Sequence, residues 1–159
     1  MKNKILLSVF LLTLLLNVHA QMNFSFTPSI GTFTEITTGT SPFFSGNGND
    51  PLADEGYVNA VPIGFSFKYN SGNNYTELSI STNGFLSFNE LSSAYVVNNL
   101  SSGAVGERPI IAPLWDDLDV QTTNNITYLT TGTAPNRVCT VQWLNAKWGF
   151  GASNAAISF

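Results

Sequence analysis

The chain has 159 residues, of which 43% are hydrophobic and 13% aromatic but only 10% charged, with a formal net charge of −4 and a single cysteine. Phosphate binding draws its affinity from clustered cations, so an acidic chain whose lysines and arginines stand singly is not expected to bind nucleic acid or an anionic membrane surface. A lone Cys139 excludes an internal disulfide and leaves stability to packing.

At the N-terminus, Lys2 and Lys4 precede a mostly apolar run from Ile5 to Leu16, followed by Val18-His19-Ala20. This pattern predicts a cleavable secretory signal peptide over residues 1–20. The run of 12 residues is short for a retained transmembrane anchor, which needs about 20. No second long apolar run follows, so no membrane span is expected, and the product is placed outside the cell or at its surface. Cleavage before Gln21 leaves 139 residues carrying 4 basic and 10 acidic side chains, a formal charge of −6. That length suits one domain with its own core.

Residues 21–56 are rich in Gly, Thr, Ser, Pro and Asn with interspersed Phe, and read as an arm or first strands with long loops. Within them Thr32 to Thr38 suggests an edge strand carrying Phe33 inward. From residue 57 onward period two dominates. Ile63, Phe65, Phe67 and Tyr69 alternate with Gly64, Ser66 and Lys68, as on a strand with one face on the core. Leu78 and Ile80 alternate with Ser79 and Ser81 in the same way. Asn83-Gly84 then predicts a two-residue type I′ hairpin turn into Phe85–Phe88, which completes a meander. Ile110–Trp115 is a continuous apolar run, expected to be a strand or extended segment buried on both sides. Ile126–Thr131, Arg137–Leu144 and Ala155–Phe159 are further strands, and no helical periodicity of useful length follows the signal segment. The predicted fold is therefore all-β: an antiparallel β-sandwich, jelly-roll-like, over residues 57–159. Phe159 ends in what reads as mid-strand, so a C-terminally truncated domain is expected, with a short native last strand as the alternative.

The segments Ile63–Tyr69, Leu78–Phe88, Ile111–Asp119 and Val138–Trp143, in that order, resemble the nidogen-type extracellular β-sandwich module of bacterial secreted and surface proteins. The resemblance covers about residues 57–159. It implies extracellular adhesion or display and no enzymatic activity. In such proteins the module stands beside fibronectin type III-like repeats and a C-terminal sorting segment, neither of which is present here. The family pattern also continues past Phe159 into another strand and hairpin.

The chemistry of the residues leads the same way. The only histidine, His19, leaves with the signal peptide, so the mature chain has no Ser-His-Asp or Cys-His nucleophile system and no His-ligated zinc site. A carboxylate-dependent glycoside hydrolase remains as a remote alternative, since it needs two acids facing each other across a sugar cleft. The acids Glu77, Glu90, Glu107, Asp116, Asp117 and Asp119 are available for it. Asp116, Asp117 and Asp119 follow directly on a buried run, where a loop can turn several oxygens toward Ca²⁺. The spacing is not that of an EF-hand, and turn capping by these side chains is the plain alternative. Ser45–Leu52, rich in Gly, Asn and Asp, reads as a flexible loop with Asp50, Asp54 and Glu55 solvated. Among the aromatics, Trp143 and Trp115 are assigned to the core. Trp148, beside turn glycines, is the residue expected to be exposed, and it is the ligand face of a second reading as a carbohydrate-binding module. Cys139 shares an alternation face with Val141 and Trp143 and is expected to be a buried, inert thiol. The first reading is a non-enzymatic structural or adhesive module whose partner is an extracellular or cell-surface protein or a polysaccharide.

Overall fold

The computed structural model describes residues 27–46, 51–69, 72–95, 108–149 and 155–159. The predicted signal peptide lies outside the described residues. The chain divides into the units Met1–Ile30 and Gly31–Phe159. Of the first, residues 27–30 are described; they are exposed and without regular structure.

Among the described residues nine strands follow in chain order: β1 (Ser45–Gly46), β2 (Gly56–Lys68), β3 (Asn74–Ser81), β4 (Phe85–Ser87), β5 (Ile110–Ile111), β6 (Leu118–Asp119), β7 (Ile126–Thr133), β8 (Asn136–Trp143) and β9 (Lys147–Trp148). The only helical piece among the described residues is a single 3₁₀ turn, Thr123–Asn125, capped by the Thr122 side chain, which accepts from the Asn124 N–H. Strands β1 to β5 form one antiparallel sheet in sequence order, β7 pairs with β8, and β6 pairs with β9. The chain is thus all-β, as its alternation predicts.

The core lies between the five-stranded sheet and the β7–β8 hairpin, in the layered manner of a sandwich. Val61 and Ile63 of β2 and Leu78 and Ile80 of β3 face Ile126 and Trp143 of the hairpin, with Phe44, Val120 and Ala146 closing the ends. Trp143, 1% exposed, is the largest buried side chain. Its ring stacks on Phe159 at 5.1 Å between centroids, and its Nε1 donates to the Ser81 carbonyl at 3.0 Å. The indole thus fills the middle of the core without orphaning its N–H. Strand β2 does not run straight: its pairing with β3 shifts between Val58 and Val61 and again between Pro62 and Phe67. Ala60 (φ 56°) and Gly64 (φ 84°) lie within those irregular stretches, as expected where an extra residue bends a strand.

Four local expectations are corrected. Ser79 and Ser81 are not solvent-facing: both are buried, because the segment after β4 covers that face of the sheet. Ser79 and Ser87 each donate to the Asn89 carbonyl at 2.8 Å, and Ser81 donates to the Ala94 carbonyl at 3.0 Å. Asn59 holds Leu91 through both its amide atoms, at 3.0 and 2.9 Å. Small hydroxyls and one amide therefore satisfy the covering backbone, and a polar face becomes an interior one. The Asn83-Gly84 turn is not type I′. Ser81 pairs with Phe85, so Thr82, Asn83 and Gly84 form a three-residue loop in which only Gly84 has positive φ, at 74°. This is the loop whose left-handed last residue makes a G1 bulge.

Ile110–Trp115 is not a central strand. Only Ile110–Ile111 is extended, at the edge of the sheet against β4, and Ile111 is 37% exposed. The run then turns away to bring Leu114 under the Gly84 loop, where the Leu114 N–H donates to the Gly84 carbonyl at 3.4 Å. Thr32–Thr38 forms no strand, and Phe33 is 48% exposed. The inward aromatic of this region is Phe44, which precedes β1.

Candidate functional site

At one end of the sheet the β3–β4 loop organises two distant segments. Asn83 is buried and its Oδ1 accepts from the Leu118 N–H at 2.8 Å, while its Nδ2 points to Glu55 Oε2 at 3.5 Å. The neighbouring Thr82 hydroxyl accepts from the Gly56 N–H at 3.1 Å and donates to the Asp54 carbonyl. The turn Pro51–Glu55 is closed by the Asp54 and Glu55 N–H groups, which both donate to the Pro51 carbonyl, at 3.0 and 2.9 Å. Beside it the Ala53 carbonyl accepts from Val120 N–H at 2.9 Å. The Asp117 carbonyl accepts from the Gly149 N–H at 2.9 Å. Its carboxylate lies against Gly149, where a Cβ would stand 2.7 Å from Oδ1.

The result is a convergence of three partly buried carboxylates, Asp54, Glu55 and Asp117, with one oxygen from each lying within 4.8 Å of the others. Like charges so close repel, and oxygen clusters of this kind are what a hard cation such as Ca²⁺ takes. Of the acids singled out in the sequence, only Asp117 reaches this cluster. Asp116 caps locally, accepting from the Asp117 N–H at 2.9 Å and from Trp148 Nε1 at 3.2 Å. Asp119 accepts from the backbone and side-chain nitrogens of Gln121 at 2.6 and 2.8 Å, and Gln121 in turn accepts from Lys147 Nζ at 3.0 Å. Trp148 is partly buried in β9, with its indole nitrogen held by Asp116. Asp54 and Glu55, read from the sequence as solvated, are instead partly buried, because the Thr82–Asn83 loop holds them against Asp117.

The second feature is an apolar cleft of about 360 Å³ between the sheet and the hairpin, lined by Phe65, Phe67 and Phe88 on one side and by Arg137, Cys139 and Val141 on the other. Phe88 anchors an aromatic group, with ring centroids 5.5 Å from Phe67 and 4.7 Å from Tyr75. Val138, 56% exposed, and Ile111 stand at its mouth. Arg137 lies 5.2 Å over the Phe65 ring and donates to the Gly64 carbonyl at 3.4 Å. Burial pushes the Cys139 thiol up, partly offset by a hydrogen bond from Thr130. Among the described residues the lining is apolar except for Arg137, so it presents a surface for apolar contact.

Among the described residues no helix is long and apolar enough to cross a membrane. No curated protein and no solved structure matches the chain. A family model described as NIDO related matches residues 23–159. That span holds every strand among the described residues, the acidic cluster and the cleft; the chain belongs to the NIDO-related family and is a nidogen-type module, a type that is typically extracellular.

Proposed function

We propose that the chain is a structural or adhesive module, exported through a signal peptide over residues 1–20, that works outside the cell or at its surface by binding an extracellular protein or a polysaccharide. The observation that carries this reading is the family match over residues 23–159. The apolar cleft supports it, since such a surface serves contact rather than turnover. The test is expression of the full chain in a Gram-negative host. The expected product is a mature protein starting at Gln21 outside the inner membrane, retained by immobilised surface proteins or polysaccharides, and releasing no reducing sugar from them. A product kept in the cytoplasm at full length, or one that degrades polysaccharide, would overturn the reading.

We propose further that Ca²⁺ is the ion of the acidic end, held by Asp117 together with Asp54 and Glu55, the group within 4.8 Å, rather than by Asp117 with Asp116 and Asp119. An ion that binds only the native state stabilises it. Millimolar CaCl₂ is expected to raise the Tm of the wild type and not that of Asp117→Asn, while Asp119→Asn keeps the response. A response lost in Asp119→Asn and kept in Glu55→Gln would return the site to the other set.

A further inference from the structure

The Asn83 carboxamide is 4% exposed, and its orientation is not free. The Leu118 N–H, 2.8 Å away, needs an acceptor, which puts Oδ1 there and turns Nδ2 the other way. Nδ2 then stands 3.5 Å from Glu55 Oε2 and 3.5 Å from the Ala94 carbonyl. Both distances exceed the roughly 3.2 Å that bounds a usual N–H···O bond. A buried donor is thus shared between two acceptors and closes fully on neither. The Ala94 carbonyl also accepts from Ser81 Oγ at 3.0 Å, and Ser81 Oγ accepts from the Asn83 N–H at 3.1 Å. Residue 83 therefore reaches the end of the covering segment 89–94 by two routes, one direct and one through Ser81.

The two acceptors belong to different parts of the molecule. Glu55 is one of the three carboxylates of the acidic end, whereas Ala94, fully buried, ends the segment that covers the hydroxyl-bearing face of the sheet. A charged acceptor draws an N–H more strongly than a neutral carbonyl does, so the Glu55 carboxylate competes with Ala94 for Nδ2. A cation that takes up the Glu55 oxygens ends the competition, and Nδ2 closes on Ala94. We propose that the Asn83 carboxamide is a switch coupling the acidic end to the covering segment, so that a divalent cation bound at Glu55 tightens residues 89–94, none of which belongs to the acidic cluster. Coupling of this kind is reciprocal, and closure of the segment strengthens cation binding in return. The identity of the ion rests on the calcium reading above; the link from Glu55 through Asn83 to Ala94 does not.

Amide exchange in the full mature chain tests the switch, read at Leu91, whose N–H donates to Asn59 Oδ1 at 2.9 Å inside the covering segment. In metal-free protein, Glu55→Ala removes the competing acceptor and is expected to slow Leu91 exchange by about fivefold or more. Asp117→Asn, which also removes a negative charge from the cluster but no acceptor from Asn83, is expected to leave it unchanged. Millimolar CaCl₂ is expected to slow Leu91 in the wild type and to add nothing in Glu55→Ala. Leu91 exchange unchanged or faster in metal-free Glu55→Ala would overturn the proposal, as would equal slowing in Asp117→Asn, which marks a general charge effect. Calcium that raises the Tm without slowing Leu91 would overturn it too, and would leave the calcium reading standing. Slowing in Glu55→Ala with no response of any kind to calcium would uphold the switch and sink the calcium reading instead.

Discussion

The two broad faces of the β2–β3–β4 meander are covered in opposite ways. On one, hydroxyls of Ser79, Ser81 and Ser87 hold the backbone of residues 89–94, and the covering segment is fitted bond by bond. On the other, the aromatic side chains Phe65, Phe67 and Phe88 look across a cleft of about 360 Å³ at β8, and the cover is tight only where Trp143 and Ile126 fill it. Polar cover is specific because each unmade bond costs its full desolvation. Apolar cover is non-directional, so a sheet face can be closed at one end and left open at the other.

This contrast is broken most severely at its closed apolar end. Trp143→Ala removes the largest buried side chain and leaves the Ser81 carbonyl without its indole partner. A loss of about 3–5 kcal/mol is expected in urea unfolding, which is a large part of the stability of a typical domain. Asn83→Ala strikes where the β3–β4 loop holds Leu118. It leaves the buried Leu118 N–H unsatisfied, at about 1–3 kcal/mol in the same assay, and it should speed amide exchange at Leu118 before any global change. The open end responds weakly. The thiol of Cys139 is held up by burial, so the native state keeps its proton longer than the unfolded chain does. The stability this contributes is complete below the ordinary thiol value and is lost as the pH rises beyond it. The urea midpoint of the wild type should fall over that alkaline range more than that of Cys139→Ala. Val138→Thr, at the exposed mouth, should change stability by no more than about 0.5 kcal/mol. A larger loss would show that the cleft is closed in solution.

Strand positions were legible in the sequence wherever one face is apolar and the other polar. β7 and β8 lie within two residues of the runs read at Ile126–Thr131 and Arg137–Leu144. The alternation of Cys139, Val141 and Trp143 also placed them on a shared face. Alternation misled at Ser79 and Ser81, because period two shows only that two faces differ and not that the polar one is wet. Composition misled at Ile110–Trp115, where apolar side chains serve three separate contacts around the β4 edge and the Gly84 loop. The acidic end was half legible. Asp117 stood out beside Asp116 and Asp119, but proximity in sequence put together three acids whose side chains diverge. The acids that Asp117 meets are brought to it by an asparagine and a threonine in a turn about thirty residues downstream of them, and no spacing rule reports such a junction.

The Gly84 loop has a consequence for how this protein can vary. A Cβ at Gly84 would stand 1.9 Å from the Leu114 carbonyl oxygen, on a backbone already in the left-handed region. Asn83 beside it holds Leu118 with one amide atom and points at Glu55 with the other. In a library sampling every substitution at every position, residues 83 and 84 should emerge as two nearly intolerant columns beside a permissive hairpin tip at residues 133–136. An engineer grafting foreign loops onto this module would find one turn that accepts cargo and one that serves as a rivet.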